Sequence, residues 1–119
     1  MRWLNLNRLE TPTEEEYYQF ALMELGGDTP SWYGLIDVSQ GYVYSNIKVI
    51  IDGFTKPSES DVNAKITELK NAYASAQYKR DRASEYPSWQ KQLEKIYDDG
   101  IDAWKSEMID PIKNKYPKE

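Results

Sequence analysis

From residue 62 onward the chain steps by alternating fours and threes through Val62, Ile66, Leu69, Tyr73, Ala76, Arg80 and Ala83. That spacing returns one side chain per helical turn to a single seam, which predicts an α-helix over residues 59–85. At 1.5 Å rise per residue it would be a rod on the order of 40 Å long. Ser58 or Ser60 is placed to cap it, after a link through Asp52-Gly53 and Lys56-Pro57. The seam weakens from Val, Ile and Leu through Tyr and Ala to the charged Arg80. A two-stranded coiled coil needs sustained apolar seam positions. The pattern therefore fits packing within one fold better than an autonomous dimer, with self-association through the 59–85 helix as the alternative.

A helix this long needs something to pack on, and the first half of the chain offers two elements. Thr11-Pro12-Thr13-Glu14 carries the marks of a helix start, with Thr11 as cap, Pro12 at the first helical position and Glu14 closing a capping box. Glu14, Glu15 and Glu16 then favour the positive end of the helix dipole. Tyr18, Ala21, Leu22 and Leu25 make one apolar face before Gly26-Gly27, so a helix over 12–25 is expected. Two aromatic and β-branched runs follow, over 32–38 and 42–51, joined by Ser39-Gln40-Gly41. They predict a β-hairpin, with Trp3, Leu4 and Leu6 available for a short third strand.

Beyond the rod, Pro87 disfavours helical geometry at Tyr86 and sets a corner. Ser88 then caps a helix through Trp89, Leu93, Ile96 and Tyr97, and Asp98-Asp99-Gly100 stops it. Ile101, Trp104, Met108 and Ile112 continue at helical spacing, with Asp110-Pro111 kinking or restarting the helix. Two or three short helices folding back as a hairpin are expected, with Trp89, Leu93, Ile96, Trp104 and Met108 as a small aromatic core. The fold class is thus α+β: an N-terminal helix, a β-hairpin or small antiparallel sheet, then a long helix and a C-terminal helical hairpin. Residues 1–57 and 58–119 are its two expected parts, as one compact domain or two closely linked modules.

Chemistry is restricted by what is missing. The chain has no His and no Cys. The usual zinc sets and the Ser-His and Cys-His nucleophile pairs cannot be built without them. The net charge of −5 opposes binding to nucleic-acid phosphates and to anionic membrane surfaces. No apolar run approaches the roughly 20 residues that span a bilayer, and the N-terminal residues lack the apolar stretch of a signal peptide. No catalytic, cofactor or metal residue is therefore assigned, and no cofactor is expected.

Four constellations invite a chemical reading. Asp98, Asp99 and Asp102 lack EF-hand spacing and read as solvated helix-end carboxylates. Glu14–Glu16 are explained by a helix N-terminus. Lys79-Arg80-Asp81-Arg82 is short and mixed in sign, as on a solvated helical face. The aromatics are the better candidates for contact with partners: Trp32, Tyr33, Tyr42 and Tyr44 on the hairpin, Tyr73 on the rod, and Trp89 and Trp104 in the tail. For each of them ordinary packing is the competing reading.

The closing stretch, residues 78–119, carries Arg82, Tyr86-Pro87, Gln92-Leu93, Tyr97, Trp104-Lys105 and Tyr116-Pro117 in that order. This run resembles the C-terminal module of small tailed-bacteriophage proteins of the marine and cyanobacterial type. Glu94 stands where that pattern commonly has Asp, and Asp98 where it commonly has His. The resemblance implies a virion structural, tail-fibre-associated or tail-assembly protein without catalysis, made in the host cytoplasm and carried in the virion. Its expected partners are other phage structural proteins on tail, fibre or capsid. An assembly chaperone discarded before maturation is the alternative, and a small enzyme or an inhibitor of a host protein stands third.

Overall fold

A computed structural model of the chain describes residues 2–118. Its elements run α1 (Glu14–Leu25), β1 (Tyr33–Leu35), β2 (Ile47–Val49), α2 (Glu59–Ser75), α3 (Gln77–Glu85), α4 (Trp89–Asp99), α5 (Ile101–Trp104) and α6 (Asp110–Lys115). This is the α+β arrangement expected from the sequence. The chain divides into two compact units, residues 1–74 and 75–119. The division falls within the expected rod, whereas the sequence placed it at 57/58.

In the first unit, α1 begins two residues later than expected. Thr13, not Thr11, is the cap: its hydroxyl accepts from the Glu16 amide at 3.1 Å, and Glu16 Oε1 accepts in return from the Thr13 amide at 3.1 Å. The sequence holds two overlapping Thr-x-x-Glu boxes, and Arg8 selects the second by forking onto the Glu16 carboxylate. At the far end Gly26 leads into a turn in which Thr29 N–H donates to its carbonyl at 3.0 Å. Trp32 then swings back beneath α1, its indole N–H donating to the Leu22 carbonyl at 2.7 Å.

The sheet is antiparallel, pairing Tyr33 with Val49, Gly34 with Lys48 and Leu35 with Ile47. Each strand is three residues long, shorter than the expected runs. Between them the chain forms two 3₁₀ turns, Val38–Gln40 and Tyr44–Asn46. One buried side chain holds this excursion: Asn46 donates to the carbonyls of Asp37 and Gly41, both at 2.8 Å, and accepts from the Asp37 amide at 3.0 Å. No third strand forms at Trp3–Leu6. Leu4 enters the core as an irregular segment instead.

Ser58 caps α2 by accepting from the Asp61 amide at 3.1 Å. The α2 seam is buried at Val62, Leu69 and Tyr73. Leu69 and Tyr73 meet Leu4, Tyr17 and Ala21 in one cluster, while Val62 meets Leu22, Trp32 and Ile47 in a second. Ile66 touches both. The seam from Val62 to Tyr73 thus packs inside this unit.

The second unit opens where the expected rod is interrupted. Ala76 leaves α-helical geometry at φ −89° and ψ 4°, with the Lys79 amide bonded to its carbonyl three residues back at 3.1 Å. Tyr86 is extended before Pro87, Ser88 caps α4, and Gly100 ends it at φ 92°, all as the sequence indicates. α5 continues into a π-helical stretch, Lys105–Ile109, and α6 follows with Pro111 in its first turn. Proline lacks the N–H that would bond to the Glu107 carbonyl and crowds that turn. The widened turn directly before it relieves the conflict. α6 lies along α3, with Arg82 Nε donating to the Tyr116 carbonyl at 2.8 Å and Lys115 paired to Glu85 at 2.7 Å.

Candidate interaction face

α4 presents two stripes at helical spacing, and its neighbours decide which is free. Gln92 turns inward, with the half-buried Ile96 one turn on. The Gln92 amide donates to the Pro87 carbonyl at 2.8 Å, while its oxygen accepts from the Trp104 indole at 3.1 Å. Lys95 bridges Asp99 at 2.7 Å and Glu107 at 2.9 Å. These two carboxylates, Asp99 foremost, raise the Lys95 pKa. The corner at Pro87, α4 and α5 are thereby joined by a relay of polar contacts.

With that side committed, Trp89, Leu93 and Tyr97 line the adjoining edge of α4 at 66%, 54% and 91% exposure. Ile101, opening α5, is 63% exposed. Scattered apolar residues on a surface need no explanation, but three in register on one helix make the stripe a candidate contact face. An acid directly follows each of the last three apolar residues: Glu94, Asp98 and Asp102. Within α4, Glu94 and Asp98 share one flank of the stripe, a helical step of about 100° round from it. All three acids are exposed and belong to no ion pair among the described residues. Lys91 lies about 160° round the helix from Leu93, on the far side.

Of the seven aromatics singled out in the sequence, Trp89 alone is exposed. Trp32 is fully buried, stacked on Phe54 at 4.9 Å, and Tyr73 is buried with its hydroxyl donating to the Arg8 carbonyl; both are core residues rather than contact residues. Tyr33, Tyr42 and Tyr44 are half-buried. Tyr42 stands 6.5 Å from Tyr33 and 6.0 Å from Tyr18, and the Tyr44 hydroxyl donates to the Pro57 carbonyl at 2.6 Å. Burial, and then the neighbouring Tyr42, push the Tyr33 phenol up to about 12. Trp104 is half-buried in the relay. The expected aromatic core of the tail is therefore corrected: Trp89 and Leu93 stand outside it. Tyr97 and Ile101, which complete the exposed set, are not among the seven; the four-residue steps from Trp89 through Leu93 to Tyr97 and Ile101 are the available signal.

The remaining polar clusters have structural employment. Glu16 is held at about 2 by Arg8 first and by the Thr13 amide second. Arg80 donates to Gln77 at 2.7 Å and Arg82 to Tyr116, which removes both from the short basic run as anion ligands. Among the described residues no group of three or more Asp or Glu stands close enough to hold a metal ion, and no helix is long and apolar enough to cross a membrane. An open groove of about 320 Å³ is lined by Glu14, Glu15, Tyr18, Tyr42 and Ile66, with Glu14 already paired to Lys70 at 2.7 Å. No protein-family model, curated protein or solved structure matches the chain.

Proposed function

We propose that the chain is a non-enzymatic structural protein of a tailed-phage particle, docking on a tail, tail-fibre or capsid component through the exposed stripe of α4. The observation that carries the docking role is the alignment of Trp89, Leu93 and Tyr97 on one exposed helix edge. Aromatic side chains held on a rigid element are the residues that most often dominate binding energy between proteins. The phage context comes from the tail resemblance. Several residues that carry it form the support behind the stripe: Pro87, Gln92 and Trp104 in the relay, Arg82 and Tyr116 in the closing bond. Mass spectrometry of purified particles is the test, followed by photo-crosslinking from position 97. Recovery in virions, with a crosslink to a tail, fibre or capsid protein, is expected. Absence from virions overturns the structural role; co-purification with a fibre or tail protein from lysate alone would instead identify an assembly chaperone.

A further inference from the structure

We infer that the surface covering the α4 stripe is an apolar helix face edged with Lys or Arg, and not a second copy of this chain; this rests on the docking reading above. The stripe is asymmetric. One flank is polar and acidic, with Glu94 and Asp98 beside Leu93 and Tyr97 and Asp102 beside Ile101, while the other flank turns into the unit through Gln92. Three other lysines of the unit are engaged elsewhere: Lys95 by Asp99 and Glu107, Lys105 by Asp110, and Lys115 by Glu85. Lys91 lies behind the acidic edge rather than across the stripe.

Two copies meeting across a two-fold axis present the same patch to each other. With that axis in the plane of contact, parallel helices set the acidic edge against the partner copy's Gln92 flank, which offers no cation, and antiparallel helices lay the acidic edge of one copy along that of the other. Like charges opposed in this way count against the pairing. A partner whose apolar residues are flanked by Lys or Arg meets Trp89, Leu93 and Tyr97 with its greasy face and gives Glu94, Asp98 and Asp102 the cations they lack. An anionic membrane would share the apolar match and meet the same repulsion.

The test uses the full chain and two synthetic amphipathic helices with the same leucine face, one edged with Lys and one with Glu, read by fluorescence anisotropy. The Lys-edged helix is expected to bind about tenfold tighter, as a few exposed ion pairs allow, with the difference shrinking as salt rises. The triple variant Glu94→Lys, Asp98→Lys, Asp102→Lys reverses the preference. Trp89→Ala with Tyr97→Ala weakens both probes. Circular dichroism checks that each variant keeps its helix content, which is expected because every substituted side chain is exposed. Equal binding of the two helices, binding of neither, or an unchanged preference in the triple variant overturns the inference. So does a dimer by light scattering that Tyr97→Ala dissolves, or adsorption to anionic vesicles through the stripe. The docking reading fails separately, if the Trp89 and Tyr97 substitutions leave incorporation into particles unchanged.

Discussion

Gly26→Ala should destabilise the first unit, although local backbone preference alone argues for the opposite. Gly26 sits at φ −76° and ψ −15°, a geometry that alanine adopts without strain. On those grounds the substitution would stabilise by about 0.4–1 kcal/mol through reduced freedom of the unfolded chain. The surroundings decide otherwise. A methyl group there would fall 2.5 Å from the Thr29 carbonyl oxygen and 2.5 Å from Cδ1 of the Trp32 indole. Neither neighbour is a flexible tip. The carbonyl belongs to the turn, and the indole is fully buried and fixed by its bond to the Leu22 carbonyl. Overpacking of this kind costs about 1–3 kcal/mol, so after that gain the net loss centres on about 1.3 kcal/mol. For a domain of this size that lowers the thermal midpoint by roughly 5–10 °C. Urea and thermal unfolding followed by circular dichroism give the magnitude, and tryptophan fluorescence reports displacement of Trp32. Gly27→Ala is the control: its φ of 58° makes it strained, but its methyl would meet nothing within 4 Å, so the Trp32 signal should stay unchanged. A Gly26→Ala protein as stable as the parent, or more stable, would refute the close packing of Trp32 under the end of α1.

Asn46→Ala removes three hydrogen bonds at the base of the 37–46 excursion. It should cost about 2–3 kcal/mol, with hydrogen exchange at the Asp37 amide accelerating before global unfolding. Trp89→Ala should change stability by no more than about 0.5 kcal/mol, in contrast to any truncation of Trp32, when both are measured by urea unfolding. The Glu16 carboxyl should titrate at about 2 in the folded chain, against an ordinary value of 4.5, when followed by carboxyl NMR shifts. Because its pKa is depressed on folding, its stabilising contribution is complete above pH 4.5 and fades as the pH falls towards 2. Arg8→Ala should move that titration back up; an unmoved midpoint would dismiss Arg8 as its main cause.

Much of this architecture is visible in the residue pattern, and the departures have identifiable physical sources. The α2 seam was legible because Val62, Ile66, Leu69 and Tyr73 repeat at helical spacing and all have core partners in the same unit. The start of α1 slipped because Thr11 and Thr13 each have a Glu three residues on, and only the position of Arg8 in space separates them. Strand length was overestimated because aromatic and β-branched composition records burial as much as ladder pairing. Tyr42 and Tyr44 serve the core from irregular backbone, while the Asn46 side chain does the work of the missing ladder bonds. The interruption at Ala76 is marked by no glycine, proline or polar cap. The exposed stripe was hidden for a related reason: Trp89, Leu93 and Tyr97 have the same periodicity as a core stripe. Only the contacts of Gln92 with Pro87 and Trp104 reveal which side of α4 turns inward.

The π-helical turn at Lys105–Ile109 also acts as a phase adjuster. The Asp110 amide reaches back to the Lys105 carbonyl, so this turn absorbs one residue more than an α-helical turn would. Everything after it is thus set back by about 100° relative to an uninterrupted helix. Tyr116, whose carbonyl receives the Arg82 guanidinium, owes its azimuth to that offset. Replacing Pro111 by alanine and deleting one residue of the turn are therefore complementary edits. Together they would leave a continuous helix with its last residues aimed as before, whereas the deletion alone would rotate Tyr116 away from Arg82.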